Sequence, residues 1–197
     1  MTGDNHQQGT TLIELLVAIS IFAIIITLGS ELLASALANH QQAMEKAEIL
    51  NQASYALDYT SRALRMVQKD LVGNCITKMF NYQNYPVGNL SVVRFLNYQG
   101  KCVELALEEL GPAGQKYKAL TIKRSSDGSA ANLGSSAPLT SKTLSVEGLN
   151  FKINGQGQGD LIQPSVSMAL KIKGRSLNPQ EMRIQTTVSQ RDLDVQY

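Results

Sequence analysis

The chain is poor in the side chains that most enzymes use for chemistry. It has two histidines, His6 and His40, and two cysteines among its 197 residues. A hydrolytic Ser-His-Asp set would depend on His40, because His6 lies in a short polar amino-terminal segment. The adjacent acids Glu108 and Glu109 would point to opposite faces of a strand and make a poor catalytic pair. We therefore expect no enzyme activity and no cofactor.

Net charge is also small. The formal net charge of +2 does not indicate nucleic acid or an acidic membrane as a partner. The first nine residues contain no Lys or Arg. The rule that positive charge stays in the cytoplasm therefore says little about how the chain is oriented.

Charged side chains are absent from residues 15–30, which are apolar on every face of a helix rather than along one stripe. At about 1.5 Å per residue, a helix over residues 10–30 would be about 31 Å long. The hydrocarbon core of a bilayer is about 30 Å thick. The sequence thus predicts a membrane-spanning helix with Glu14 at one edge.

Glu14 needs a partner in this setting, since an ionised acid at mid-bilayer costs about 2.5 to 3.5 kcal/mol. Cleavage after Gly9 would make Thr10 the new amino terminus, four residues before Glu14 on the same helix face. The new amine and the carboxylate would then lie at one depth in the membrane. Between two subunits, the same pair would neutralise both charges and set their axial offset.

The polar leader, Gly9, Glu14 and the apolar run together resemble the amino-terminal signature of the type IV pilin and type II secretion pseudopilin superfamily. The resemblance implies cleavage between Gly9 and Thr10 by a prepilin peptidase, N-methylation of Thr10, and an assembly role for Glu14. It also implies an inner-membrane assembly platform and other pilin or pseudopilin subunits as partners. The carboxyl-terminal domain would face the periplasm and later the cell surface.

The resemblance leaves the system open. The apolar helix lacks the proline of many major pilins, which favours a minor pilin or a J-type pseudopilin. The first expectation is a structural minor pilin of a type IV pilus that primes assembly or sits at the tip. The alternatives are a type II secretion pseudopilin and a DNA-uptake or adhesive tip subunit.

Two further readings compete with the pilin reading of the amino terminus. An ordinary secretory signal fits in part, because Ala36-Leu37-Ala38 could be cleaved to give a product beginning at Asn39. The uncharged start, Glu14 and helical patterning beyond Ala38 argue against it. An unrelated single-pass anchor is the other reading.

After the apolar segment, small and apolar residues recur at steps of three and four, which predicts one buried helix face. This stripe consists of Ala43, Ala47, Leu50, Ser54, Leu57, Ser61, Leu64, Val67 and Leu71. The helix should end near Val72, with Gly73-Asn74 as its stop. The expected divisions are a leader at 1–9, a membrane helix at 10–30, an amphipathic continuation at 31–72 and a β-rich domain at 73–197.

Beyond Cys75 the sequence alternates between apolar and polar residues, which is typical of strands. Strands are predicted around 92–96, 102–108, 120–122, 144–146, 149–153, 166–172 and 182–188, with a hairpin turn at 97–100. They should form an antiparallel sheet with one face buried under the amphipathic helix. The predicted fold class is α+β, a pilin-like long helix packed on a sheet.

Cys75 and Cys102 predict a disulfide, because a pair of cysteines in an exported domain is usually oxidised. A cross-link over this distance should stabilise by about 3 to 4 kcal/mol. Two thiolates without a nearby histidine would make a poor zinc site, so we predict no metal there.

Two segments predict loops, residues 125–141 and 154–160. The glycines of the second lack the spacing of a nucleotide-binding loop. Asp127 and Asp160 could touch calcium, although neither has the several carboxylates that a dedicated site needs.

Basic residues suggest a weaker binding reading. Lys171, Lys173 and Arg175 alternate along one strand, and Lys123-Arg124 with Tyr117 could extend the patch. Such groups could contact nucleic-acid phosphates. A solvated outer face of the sheet is the simpler interpretation, so nucleic acid is a possible but unlikely partner.

Overall fold

The computed structural model describes residues 11–87, 90–156, 162–175 and 179–191. Over these residues one long helix is followed by antiparallel strands, which is the α+β, pilin-like architecture expected. The helix is α1 (Leu12–Arg65). The strands are β1 (Val67–Gln68), β2 (Tyr82–Val87), β3 (Leu90–Asn97), β4 (Cys102–Leu110), β5 (Tyr117–Arg124), β6 (Ala137–Pro138), β7 (Leu144–Asn154), β8 (Ser165–Gly174) and β9 (Glu181–Ser189).

The chain divides into two compact units, Met1–Met44 and Glu45–Tyr197. The described part of the first unit is the amino-terminal portion of α1 with Thr11 before it. The second unit contains the rest of α1 and all the strands of the described residues.

Within the second unit, α1 buries a face that differs from the predicted stripe. The buried residues are Ile49, Ala53, Ala56, Thr60 and Leu64. Apart from Leu64, the predicted row is offset by one residue, and Leu50 is 49% exposed. Both rows have the spacing of a helix face, so spacing alone does not select between them. The observed row places an isoleucine and two alanines in the core, and the small alanines allow close packing.

The prediction that the helix runs to Val72 is wrong, because α1 ends at Arg65. Val67, which is fully buried, and Gln68 instead form β1 and pair antiparallel with Asn97 and Leu96 of β3. The end of the helix also has long-range partners. The Tyr82 hydroxyl donates to the carbonyl of Leu64 at 2.6 Å, and the Arg191 amide donates to the carbonyl of Arg65 at 2.9 Å. These bonds satisfy carbonyls that a helix end leaves unpaired.

The strands form two antiparallel sheets rather than the single sheet expected. The first has the order β1-β3-β4-β5-β6, with β2 also paired to β3, and the second has the order β7-β8-β9. The expected strands near 144–146 and 149–153 are one strand, β7, with a register shift between Val146 and Gly148. β2 was not predicted, and β6 lies inside the predicted loop 125–141. Alternation of apolar residues identifies strands but does not say which strands share a sheet.

One hydrophobic core joins the helix and both sheets of the second unit. Its largest side chains include Phe95 and Leu105 from the first sheet, and Phe151 and Met168 from the second. In β4 the residues from Cys102 to Leu107 are all buried, so the expectation of a single buried face is wrong for this central strand. Val103, Leu105 and Leu107 face the core shared with the second sheet. On the opposite face, Cys102 is covered by the cluster around the disulfide, and Glu104 is paired with Arg94 and Lys123.

Cys75 and Cys102 form the predicted disulfide, with their Cα atoms 5.3 Å apart and the two residues 27 positions apart in sequence. The bond joins the segment after β1 to the first residue of β4. Ile76 is buried with the two cysteines, and Phe80 packs beside them. A small second cluster of apolar side chains therefore surrounds the cross-link.

A carboxylate organises the segment that the sequence assigned to the end of the helix. Asp70 Oδ1 accepts the amides of Val72 and Gly73 at 3.1 and 2.7 Å. Its Oδ2 accepts the amides of Cys75 and Ile76 at 2.8 and 3.1 Å. Burial by itself raises the pKa of Asp70, but the four amide donors outweigh it and hold the pKa below its ordinary value. The ionised acid thus stabilises the turn that leads to the disulfide.

Replacing Cys75 and Cys102 together by serine is expected to lower the free energy of unfolding of the second unit by about 3 kcal/mol, because the unfolded chain regains loop entropy. Denaturant titration of the full chain in detergent, followed by circular dichroism, measures this change. Reductant should shift the wild-type transition by a similar amount and leave the double variant unchanged. A loss below about 1 kcal/mol would contradict the expectation.

Asp70→Asn is expected to lower the free energy of unfolding by about 2 kcal/mol at pH 7, because an amide cannot accept four amide bonds and its NH₂ group faces donors. The folded pKa of Asp70 is below its ordinary value of 3.8, so the stabilisation is present above that value and is lost as the pH falls below it. The wild type and the variant should therefore converge in acid. The matched control is Asp58→Asn on the exposed side of α1, which should show no such pH-dependent difference.

Candidate processing and assembly segment

The amino-terminal portion of α1 is apolar and uncovered by any described residue. An 18-residue window of this helix has a mean hydropathy of 2.6 and no buried residue. Large apolar side chains, among them Leu15, Phe22 and Ile25, are more than half exposed. Apolar surface on this scale requires lipid or other apolar helices. The helix is long and apolar enough to cross a membrane.

The few polar side chains in this portion are satisfied within the helix. The hydroxyls of Ser20, Thr27 and Ser30 each donate to the carbonyl four residues earlier, at 2.8, 2.9 and 2.8 Å. In a bilayer, a hydroxyl without a hydrogen-bond partner would cost on the order of several kcal/mol. These internal bonds make the segment compatible with lipid on every side.

Thr11 caps the start of the helix. The amide of Glu14 donates to Thr11 Oγ1 at 3.4 Å, and Leu12 is the first helical residue. Glu14 is therefore the third residue of the helix, in the Thr-x-x-Glu spacing of a capping box. An acid in the first turn also interacts favourably with the positive end of the helix dipole. The sequence alone contains this Thr-x-x-Glu spacing, but no cap was predicted from it.

The structure places the predicted site residues unequally. Glu14 is in the first helical turn and its side chain is exposed. Gly9 and Thr10 lie outside the described residues, so cleavage and N-methylation stay predictions. The expected helix start at Thr10 differs from the observed start, because Thr11 is a cap outside the helix. Helical spacing therefore does not by itself align Thr10 with Glu14.

Residues 4–30 match the family model described as the prokaryotic N-terminal methylation motif. The chain carries the type IV pilin and pseudopilin signature. The matched residues include Gly9, Thr10 and Glu14, which the sequence resemblance had indicated. No curated protein and no solved structure matches the chain. The signature indicates a structural subunit rather than an enzyme, and with the apolar helix it fits a membrane-anchored single-pass protein.

The other candidate residues do not assemble a second site of the expected kinds. His40 is exposed on α1, and no group of three or more His, Cys, Asp or Glu among the described residues could hold a metal. Asp127 accepts the Ser129 amide at 3.0 Å and the Asn132 side-chain amide at 2.5 Å. Both oxygens thus have partners inside their own loop, and Asp160 lies outside the described residues.

Lys123 is paired with acids rather than left free to contact phosphate. Its Nζ lies 3.4 Å from Glu104 Oε1 and 2.5 Å from Glu108 Oε1. The bond from Glu108 raises the pKa of Lys123 above its ordinary value. Glu109 pairs with a different lysine, Lys116, at 3.1 Å, so Glu108 and Glu109 do not share a partner. A contact with a nucleic-acid phosphate would need the positive charge of Lys123, but Glu104 and Glu108 neutralise that charge.

In the second part of the predicted basic patch, Lys171 is compensated in the same way. Lys171 Nζ lies 3.1 Å from Glu181 Oε2. Arg175 donates to the carbonyl of Lys142 at 3.0 Å, and its Cζ lies 5.7 Å from the centre of the Tyr117 ring. Tyr117 therefore lies beside Arg175, whereas Lys123 and Arg124, which the prediction placed with it, lie at the other end of β5. Pairing of Lys123 and Lys171 with acids weakens the nucleic-acid interpretation, which stays a prediction.

Thr11→Ala is expected to loosen the first turn of α1, because loss of a cap costs about 1 kcal/mol. Amide hydrogen exchange at Glu14 and Leu15, measured on the full chain in detergent, should then accelerate about fivefold. Thr11→Ser keeps the acceptor oxygen and is the matched control. Equal exchange rates in Thr11→Ala and the wild type would exclude the cap.

Proposed function

We propose that the chain is a structural subunit of a type IV pilus, a minor pilin that primes assembly or sits at the tip. The observation that supports this most is a methylation motif at residues 4–30 that runs into an uncovered apolar helix with one acid in its first turn. The motif indicates processing, and the bare helix is suited first to a bilayer and then to packing among other subunits.

In this proposal a prepilin peptidase cuts after Gly9 and methylates Thr10. The leader is lost, α1 remains in the inner membrane, and the globular unit faces the periplasm. An assembly platform then moves the helix from lipid into a bundle of like helices. The helix exchanges apolar contacts with lipid for apolar contacts with other helices, so the hydrophobic cost of leaving the bilayer is small.

Glu14 gives that bundle a fixed register. Its carboxylate is exposed in the structure, while the Glu14 amide is held by the Thr11 cap. The side chain is thus available to a methylated Thr10 amine of another subunit. Two opposite charges in a low-dielectric setting attract strongly and are costly when unpaired, so one axial offset between helices is favoured.

One feature favours a minor subunit over a major pilin, and a second fits an exported domain. No proline occurs in the apolar helix, unlike in many major pilins. The globular unit carries a disulfide, which suits an oxidising compartment such as the periplasm. A type II secretion pseudopilin would share both features, so the experiment must separate the two systems.

Glu14→Ala is expected to leave cleavage intact but to reduce incorporation into filaments about tenfold, as loss of about 1.4 kcal/mol of pairing would do. The amount of chain in sheared surface filaments, relative to the amount in membranes, is measured by immunoblot. Glu14→Asp keeps the charge and should retain part of the incorporation, while Glu14→Gln should behave like alanine. Full incorporation of Glu14→Ala would contradict the role of the acid.

Amino-terminal sequencing of the membrane-bound product is the accompanying control. The wild type and Glu14→Ala should both begin at Thr10. A start at Asn39 would indicate an ordinary signal peptide, and retention of Met1 would exclude processing. Absence of the chain from filaments, together with a protein-export defect on its deletion, would favour the pseudopilin alternative.

A further inference from the structure

A cavity of about 640 Å³ opens on the globular unit. One wall is the helix, at Tyr59 and Ala63, and another is the turn between β3 and β4. The third is the end of β5 with the segment that follows it. All lining residues belong to the described part of the second unit. We call this cavity the Tyr59–Arg124 groove.

The groove has an apolar floor and aromatic sides. Phe95, Val103 and Ile122 line it and are themselves buried, so the floor is continuous with the core. Tyr59 and Tyr98 stand at the sides, and the Tyr98 side chain is 56% exposed. The volume of the groove lies in the range of pockets that take small organic ligands, and its accessible lining is part polar and part apolar.

The charges at the groove have one sign. Lys101 and Arg124 line it, and no Asp or Glu does. Neither cation is in a salt bridge with a described carboxylate, in contrast to Lys123 and Lys171. Arg124 instead donates to the Tyr59 hydroxyl and lies over the Tyr59 ring, with its Cζ 5.9 Å from the ring centre. Among the described residues, the groove therefore presents two cations without an acid that neutralises them.

The turn that carries Lys101 is fixed before any ligand arrives. Asn97 Oδ1 accepts the amides of both Gln99 and Lys101 at 2.9 Å. The Gly100 amide donates to the Asn97 carbonyl at 2.9 Å, and Gly100 has a φ of +71° that favours glycine. The backbone of the turn thus has little freedom.

The opposite wall is fastened to this turn. Ser125 Oγ accepts the amides of Cys102 and Gly128, each at 2.9 Å. A Cβ at Gly128 would lie 2.4 Å from the carbonyl oxygen of Gly100, so only glycine fits there. Cys102 is further held by the disulfide. The cavity is consequently preformed, which lowers the entropy cost of binding.

We propose that the Tyr59–Arg124 groove binds a small aromatic carboxylate. The planar guanidinium of Arg124 and the ammonium of Lys101 would receive the carboxylate. The ring would lie between the side chains of Tyr59 and Tyr98. This inference does not rest on the proposed function, because the groove lies within the globular unit and uses no residue of the amino-terminal segment.

The test uses 4-fluorophenylacetate as the probe and 4-fluorophenylacetamide as its neutral counterpart. Fluorine NMR relaxation reports binding to the full chain in a zwitterionic detergent, with detergent alone as the blank. The acid should bind at least fivefold more tightly than the amide. Added salt should weaken binding of the acid and leave the amide unchanged.

Lys101→Gln and Arg124→Gln should each weaken binding of the acid at least fivefold. Lys118→Gln removes the same charge from an exposed position outside the groove and should have no effect. The thermal midpoint of each variant checks the fold. If Arg124→Gln unfolds because its contact with Tyr59 is lost, Lys101→Gln alone decides. Equal binding of acid and amide, no binding above the detergent blank, or an equal loss in Lys118→Gln would overturn the proposal.

Discussion

Fourteen apolar residues between Leu12 and Ser30 must stay out of water, and no described part of the chain covers them. From Leu12 to Ser30 the described helix is exposed throughout, while its hydroxyls bond only to its own carbonyls. The globular unit accordingly builds its core from Ile49 onward. The two units need different surroundings. The first is suited to an apolar environment such as a membrane, and the second is suited to water.

The acid in the first turn is the one ionisable exception in this apolar segment. Thr11 caps the helix through the Glu14 amide and leaves the Glu14 side chain exposed. The same residue therefore serves the helix with its backbone and is available to another chain with its carboxylate. A subunit that polymerises through its helix needs such a separation, since a carboxylate used up internally could not set the register between neighbours.

Local signals made part of this predictable from the sequence. Adjacent residues were enough to predict the apolar run with Glu14 and most of the strands. The Cys75–Cys102 pair was predicted from the oxidising compartment expected for the domain. The end of the helix was not predictable in this way, because Val67 pairs with Asn97, which lies thirty positions further along the chain. Likewise, only the sheets decide that Ile49 rather than Leu50 is buried. The groove joins Tyr59 to Arg124 across the fold, which no spacing rule reveals.

The position of the disulfide couples the shape of the groove to the oxidation of the two cysteines. The disulfide anchors Cys102, which directly follows Lys101 in one wall and donates its amide to Ser125 in the opposite wall. Reduction of this cross-link would free the start of β4 and, with it, one end of the turn that carries Lys101. The ligand affinity proposed for the groove would therefore depend on the redox state of two cysteines that do not line it.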